Sequence, residues 1–112
     1  MSKFDEKMED YKKHLDEIGV KYDLELLKKV AKGCGPSIYN KDASTVSGSD
    51  PKELETVRKN FLVKKLGLAD SDELNKGMDA VIEKYGKSRS NKYRAVVYYL
   101  LTKHYKKEGI YS

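Results

Sequence analysis

The sequence predicts an all-α fold, a compact array of about five helices with one long loop between the second and third helices. Five segments place apolar residues at three- and four-residue steps, which is the spacing of one helix face. No segment alternates apolar and polar residues for long enough to indicate a strand, and sequences typical of hairpin turns are absent. At 112 residues, we expect a single helical domain over residues 1–112.

The first two helices are predicted to begin at polar caps and to end at glycines. Ser2 and Asp23 are the expected N-caps, because their side chains accept hydrogen bonds from the first backbone N–H groups. Gly19 and Gly33 suit the last turns. The apolar face of the first helix comprises Phe4, Met8, Tyr11, Leu15 and Ile18. That of the second comprises Leu24, Leu27, Val30 and Ala31.

The third helix has the clearest start signal. Asp50 is the expected N-cap, Pro51 occupies the first helical position, and Glu53 completes a capping box. Arg58 lies within the apolar face, and a buried guanidinium needs a carboxylate or several backbone carbonyls as partners. We expect Asp42 in the long loop to be that partner. The apolar face comprises Leu54, Val57, Phe61 and Leu62.

The fourth helix repeats this pattern, with Asp70 as the cap, Glu73 three residues later, and Gly86 after the last turn. Gly77 lies inside this helix at the edge of the apolar face, where glycine costs about 1 kcal/mol relative to alanine. We therefore expect another helix to cross closely at Gly77. The apolar face comprises Leu74, Met78, Val81, Ile82 and Tyr85.

The fifth helix is predicted from about Ser90 to Glu108, before Gly109. His104 falls on its apolar face, which predicts a hydrogen-bonded core histidine. His14 lies beside the stripe of the first helix, and we expect it to be exposed. The face of the fifth helix comprises Tyr93, Val96, Val97, Leu100, Leu101 and His104.

The loop at residues 34–49, CGPSIYNKDASTVSGS, is long for a compact fold, where unstructured connections above about 12–15 residues are uncommon. Either Pro36–Asn40 forms a helical turn or the loop is functional, and the sequence leaves both open.

The runs GPSIYNKDAS at residues 35–44 and NFLVKKLGL at residues 60–68 resemble a family of small bacterial proteins, the domain of unknown function DUF2853. The resemblance covers nearly the whole chain, from Phe4 into the last helix. It implies an all-helical fold in a stand-alone bacterial protein. Because the family has no established activity, the resemblance implies no catalytic or binding residues.

Several kinds of chemistry lack support. Cys34 is the single cysteine, which fits a reducing compartment, and its place at a helix C-terminus predicts an inert thiol. With His14 and His104 it forms no zinc-ligand spacing, so we expect no metal and no cofactor. The N-terminus is charged throughout, and no apolar run approaches the ~20 residues that span a bilayer. We expect a cytoplasmic protein with no membrane partner.

The C-terminal region is strongly basic. Residues 84–112 hold eight basic residues and one acid, a net charge of +7, whereas residues 1–83 carry −2. Cations near a helix start repel one another, and an anion bound to the free N–H groups would relieve that repulsion. Alternatively, acids such as Asp70 or Asp72, or solvent, neutralise the cluster. The candidate anion-binding residues, within the segment KYGKSRSNKYR at 84–94, are Lys87, Arg89, Ser90, Lys92 and Arg94.

Tyrosines form a second candidate surface. Arginine with tyrosine is a combination enriched at protein interfaces and able to stack on bases. Arg94, Tyr98 and Tyr105 share one flank of the fifth helix, and Tyr39 lies in the long loop. The candidate partner surface is therefore Tyr98, Tyr105 and Tyr39. Alternatively, another helix covers this flank and the tyrosines are half-buried.

Three function classes follow, in order of support. The first is a non-enzymatic protein-interaction module with a protein partner. The second is binding of an anion or nucleic acid through residues 84–94. An enzyme comes last, because the sequence holds no recognisable catalytic motif.

Overall fold

Five α-helices make up most of the chain that the computed structural model describes, which comprises residues 3–40, 44–46, 50–86 and 92–111. The predicted all-α array of about five helices is confirmed. Two short strands, which the sequence did not predict, pair antiparallel with Thr45 opposite Tyr93. The helices are α1 (Lys3–Glu17), α2 (Leu24–Gly33), α3 (Pro51–Val57), α4 (Asp72–Gly86) and α5 (Arg94–His104), and the strands are β1 (Thr45–Val46) and β2 (Lys92–Tyr93).

Helix α5 lies at the centre of the fold. A helix that is apolar around its whole circumference must be enclosed by other elements. Helices α1, α2 and α4 pack against α5, and both strands lie near its first turn. The core is therefore arranged around this helix. Its buried residues are Ala95, Val96, Val97, Tyr99, Leu100, Leu101 and Thr102.

The start of α2 is confirmed as predicted, and that of α3 in part. Asp23 Oδ1 accepts hydrogen bonds from the N–H groups of Glu25 and Leu26, at 3.0 and 3.3 Å. Asp50 Oδ1 accepts the N–H of Lys52 at 3.0 Å. The capping role predicted for Glu53 is wrong, because its carboxylate contacts α5 instead. The predicted cap Ser2 lies outside the described residues.

Helix α4 begins two residues after the cap predicted at Asp70. Ser71 directly precedes the helix, and its carbonyl accepts the N–H of Leu74 at 3.1 Å. The prediction of Asp70 as N-cap is therefore wrong. The physical reason is a competing partner, since the Asp70 carboxylate lies beside Arg58.

Arg58 lies beside a carboxylate and an amide. Its Nε lies 3.4 Å from Asp70 Oδ1, and its Nη1 donates to Asn75 Oδ1 at 3.2 Å. The expected carboxylate is present as an ion pair, but the hydrogen bond is not, because the buried Nε has no hydrogen-bond partner. The favoured partner, Asp42, lies outside the described residues.

Helix α3 continues as a turn of π-helix, Arg58–Val63, where the sequence predicts ordinary α-helix. The wider turn is visible in the N–H of Leu66, which donates to the carbonyl of Phe61 five residues earlier, at 2.9 Å. The buried residues here recur at steps of four and five, which suits a wider turn than the α-helix. They are Val57, Phe61, Leu62 and Leu66.

The two histidine predictions are both wrong. His14 is half-buried, its Nδ1 lies 2.5 Å from the Tyr85 hydroxyl oxygen, and its ring packs on Tyr93 at 4.6 Å between centroids. His104 is exposed. Helix α5 ends at His104 and the chain turns away at Lys106, whose φ is 55°, so the last turn extends beyond the core.

The long loop contains a helical turn, which is the first of the two alternatives that the sequence leaves open for it. Residues Gly35–Tyr39 form a 3₁₀-helix, and its Ile38 is buried. The helix predicted from about Ser90 to Glu108 is shorter at both ends, because residues 92–93 pair with β1 and Glu108–Tyr111 forms a separate 3₁₀ turn.

Gly77 provides the close approach that its sequence position predicts. A Cβ atom placed on Gly77 would overlap the hydroxyl and ring of Tyr105, which directly follows α5. The Tyr105 hydroxyl also donates to the carbonyl of Leu74 on α4, at 3.5 Å. Gly77 therefore allows the end of α5 to pack against α4.

We expect Gly77→Ala and Tyr105→Ala to be energetically coupled. With Tyr105 absent, Gly77→Ala should stabilise the fold by about 1 kcal/mol through helix propensity. With Tyr105 present, that gain should be lost, because the new methyl group displaces the ring. Urea unfolding of the two single variants and the double variant measures the coupling, expected at about 1–2 kcal/mol. Additive effects would contradict the close packing.

Candidate functional site

A cleft of about 420 Å³ opens between α4, α5 and the connection from α1 to α2. Its polar lining residues come from all three segments, and three of them are lysines. Below them the lining is mainly apolar. We call this site the lysine cleft. Its polar lining residues are Lys21, Lys84, Lys103 and His104, and its floor is formed by Val20, Val81, Tyr99 and Leu100.

The connection between α1 and α2 is held in place by backbone hydrogen bonds. Gly19 has a φ of 72°, a left-handed conformation that reverses the chain after α1. The N–H of Val20 then donates to the carbonyl of Leu15 at 3.0 Å. The N–H of Asp23 donates to the Tyr99 hydroxyl on α5 at 2.8 Å. These contacts bring Lys21 to the lysine cleft.

The helical spacing places the other lining residues on common faces. On α4, Ala80 and Val81 lie four and three residues before Lys84, so the three share one face. On α5, Leu100 lies three residues before Lys103, so the two residues share one helix face. An apolar floor and a cationic rim therefore follow from two helices packed side by side.

The charges around the lysine cleft are unbalanced. Lys103 Nζ lies 3.7 Å from Glu108 Oε2. Within the part of the chain that the structure describes, Lys21 and Lys84 form no ion pair. The lining residues include no aspartate or glutamate. A positive cleft with an apolar floor concentrates the field and attracts anions.

The structure describes two of the five anion-binding residues predicted from the sequence, Lys92 and Arg94. Lys87, Arg89 and Ser90 lie outside the described residues. Lys92 is 2% exposed. Arg94 donates to Glu53 Oε1 at 2.5 Å and to the Tyr98 hydroxyl at 2.9 Å.

Glu53 therefore contributes the negative charge near this segment that the sequence suggested for Asp70 or Asp72. Burial disfavours the charged guanidinium of Arg94, but the contacts with Tyr98 and Glu53 outweigh burial and raise its pKa. Arg94 is thus committed to an ion pair within the chain, between α5 and α3.

The three candidate partner tyrosines have different environments. Tyr98 stacks on Phe61, with 3.9 Å between ring centroids and 13° between planes. Tyr105 is half-buried over Gly77. Tyr39 is 45% exposed. Tyr98 and Tyr105 are therefore half-buried, as the alternative to a partner surface predicts, and Tyr39 is exposed to solvent.

Cys34 is half-buried, and burial raises the pKa of its thiol to about 11, with Arg94 opposing the rise. A thiol with this pKa is almost entirely protonated near neutral pH, which agrees with the inert cysteine expected from the sequence. Across the described ranges, no group of three or more histidine, cysteine, aspartate or glutamate residues is arranged to hold a metal ion. None of the described helices combines the length and apolar character needed to cross a membrane.

The fold and the lysine cleft together define a small, mainly helical protein with a basic cleft. Residues 8–109 match the family described as protein of unknown function DUF2853, and the chain belongs to that family. The match confirms the resemblance seen in the sequence. No curated protein matches the chain with significant similarity.

The sequence places Lys84 and Lys103 in the basic region at residues 84–112 but gives no reason to group them with Lys21. No spacing pattern joins residues so far apart in the chain. The missing signal is the packing of the α1–α2 connection against α5, which depends on the hydrogen bond from Asp23 to Tyr99.

We expect Glu53→Ala to destabilise the fold by about 2 kcal/mol, because it leaves the mostly buried Arg94 without its carboxylate. The matched control is Glu55→Ala on the same helix, whose partner Lys59 is exposed, and this change should have little effect. Chemical denaturation of both variants measures the difference. Equal losses of unfolding free energy from the two changes would show that the ion pair between Arg94 and Glu53 stabilises the fold no more than an exposed pair does.

Proposed function

We propose that this protein is a non-enzymatic binding module that takes an anionic ligand in the lysine cleft. The observation that carries the proposal is the pair Lys21 and Lys84, which line one cleft without an ion-pair partner among the described residues. Like charges placed together repel one another, and a bound anion offsets that repulsion. The cleft volume of about 420 Å³ lies in the range of small-ligand sites.

The groups in the lysine cleft support binding rather than turnover. General acid–base catalysis needs groups that can exchange protons with a substrate, and covalent catalysis needs a nucleophile beside a base. The imidazole of His104 can exchange a proton, but the lining residues include no carboxylate to orient it and no cysteine or serine beside it. The three ammonium groups of the lining are suited to holding an anion.

The sequence alone favours a protein-interaction module, and Tyr39 is the observation that supports it. Its side chain is 45% exposed at the end of a short 3₁₀-helix. The contacts of Tyr98 with Phe61 and of Tyr105 with Gly77 leave less of the candidate partner surface accessible. Single exposed apolar side chains are common on monomers, so we place this function second.

We expect the protein to bind pyrophosphate at low salt, measured by isothermal titration calorimetry. Replacing Lys21 and Lys84 together with glutamine should weaken binding by about tenfold or more, because both uncompensated charges are removed. The matched control replaces Lys13 and Lys64, two exposed lysines outside the cleft, and should change affinity little.

Either of two results would overturn the proposal. Absence of pyrophosphate binding by the unmodified protein at low salt would remove the anion-binding function. Equal weakening by the two double variants would show that net charge alone attracts the ligand and that the lysine cleft is not its site.

Nucleic acid is the polyanionic alternative, supported by the net charge of +7 on residues 84–112. Phosphate contacts of this kind produce a steep fall in affinity with salt, and the slope scales with the number of contacts. We expect a random-sequence oligonucleotide not to bind near physiological salt, measured by fluorescence titration at two salt concentrations. Tight binding there, with a slope that the Lys21 and Lys84 changes flatten, would favour nucleic acid over a small ligand.

A further inference from the structure

We propose that the lysine cleft selects a soluble phosphomonoester of a small apolar or aromatic group. The phosphate lies between Lys21 and Lys84, and the apolar group lies on the floor of the cleft. This inference rests on the proposed anion-binding function and adds the chemical class of the ligand. It follows from the charge count and from the apolar lining of the cleft, and lysines are cations that bind phosphate.

The charge count favours a dianion. Glu108 Oε2 lies 3.7 Å from Lys103 Nζ in a half-exposed pair and offsets part of its charge, whereas Lys21 and Lys84 form no ion pair in the described part of the chain. A phosphomonoester carries a charge close to −2 near neutral pH, which matches two lysines. A carboxylate carries −1 and leaves one lysine charge unbalanced.

The cations of the cleft suit phosphate but do not separate it from carboxylate. The planar fork of arginine matches both anions, so a lining without arginine favours neither. Lysine binds phosphate as a compact charge with three rotatable donors. The choice of phosphate over carboxylate therefore rests on the charge count.

The floor explains why the ligand has an apolar group. The apolar lining that a ligand reaches consists of the exposed Ala80 and the half-buried Val20, and below them Val81 and Leu100 close the floor at 3% and 5% exposure. The hydroxyl of Tyr99 already accepts the N–H of Asp23. A sugar would lose hydrogen bonds to water on this surface without replacing them, whereas an apolar ring gains from leaving water.

Glu108 has a specific part in this selection. It belongs to the 3₁₀ turn Glu108–Tyr111, and its second carboxylate oxygen, Oε1, is buried without a hydrogen-bond partner. Lys103 is therefore the ion-pair partner of a carboxylate that has few other partners. The two side chains are 46% and 41% exposed, so Glu108 offsets the Lys103 charge in part and biases the cleft toward two uncompensated lysines. Without its charge, Lys103 becomes a third cation for the ligand.

The test compares four probes by isothermal titration calorimetry on the full chain, at pH 7.5 and low salt. They are phenyl phosphate, inorganic phosphate, benzoate and pyrophosphate. We expect phenyl phosphate to bind about tenfold more tightly than inorganic phosphate, because the ring covers the floor. It should also bind about tenfold more tightly than benzoate, which has the same ring and one charge less.

The second arm uses Glu108→Gln, with Glu6→Gln as the matched control on an exposed part of α1. Freeing Lys103 should raise the affinity for pyrophosphate relative to phenyl phosphate by about fivefold to tenfold, because pyrophosphate carries the greater charge. The control should leave this ratio unchanged. Circular dichroism of both variants establishes that each is folded before it is titrated.

The outcomes separate this inference from the function on which it rests. If none of the four probes binds, the anion-binding function itself is wrong. If benzoate or inorganic phosphate binds as tightly as phenyl phosphate, only the ligand class is wrong. If Glu108→Gln and Glu6→Gln give the same ratio, Glu108 does not set the charge of the site.

Discussion

The enclosure of α5 is the constraint on which the other contacts of this fold depend. Its buried residues point in all directions, so α1, α2 and α4 must each cover part of its circumference. The beginning of the helix adds a polar requirement, since the N–H of Arg94 donates to the carbonyl of Ser44 at 2.8 Å and the Arg94 side chain is 14% exposed. A guanidinium so far from water is costly without partners. Glu53 and Tyr98 supply them, and they connect α3 to the same end of the helix.

The parts of this fold that the sequence predicts correctly are those set by nearby residues. Asp23 and Asp50 cap their helices because the N–H groups they serve lie two or three residues away. The histidines show the limit of this reasoning. Assigning His104 to an apolar face assumed that α5 has one buried face, but the helix is enclosed and the exposure of His104 depends on where the helix ends. His14 is covered by partners from distant segments, chiefly the hydroxyl of Tyr85 71 residues later, which no local pattern contains.

The candidate site illustrates a related limit of charge counting. The sequence draws attention to residues 84–94 through their charge, but net charge does not distinguish cations that serve the fold from cations that remain available. Arg94 belongs to the first kind, because Glu53 lies 2.5 Å away, and Lys84 to the second. The third lysine of the site, Lys21, comes from residues 1–83, which carry a net charge of −2. Only the packing of the α1–α2 connection on α5 brings it to the others.

The core and the lysine cleft share one helix, and this has a consequence for binding. Leu100 belongs to the enclosed core and forms part of the cleft floor, while Lys103 lies one turn later on the rim. A wall formed by a core helix is ordered before the ligand arrives, so little ordering cost opposes binding. A ligand that joins Lys21 to this wall also links the α1–α2 connection to the most constrained element of the fold. Because such a ligand binds the folded chain and not the unfolded one, occupancy of the cleft must raise the stability of the whole fold by RT ln(1 + L/Kd), where L is the ligand concentration, and this gain grows with the logarithm of ligand concentration above the dissociation constant.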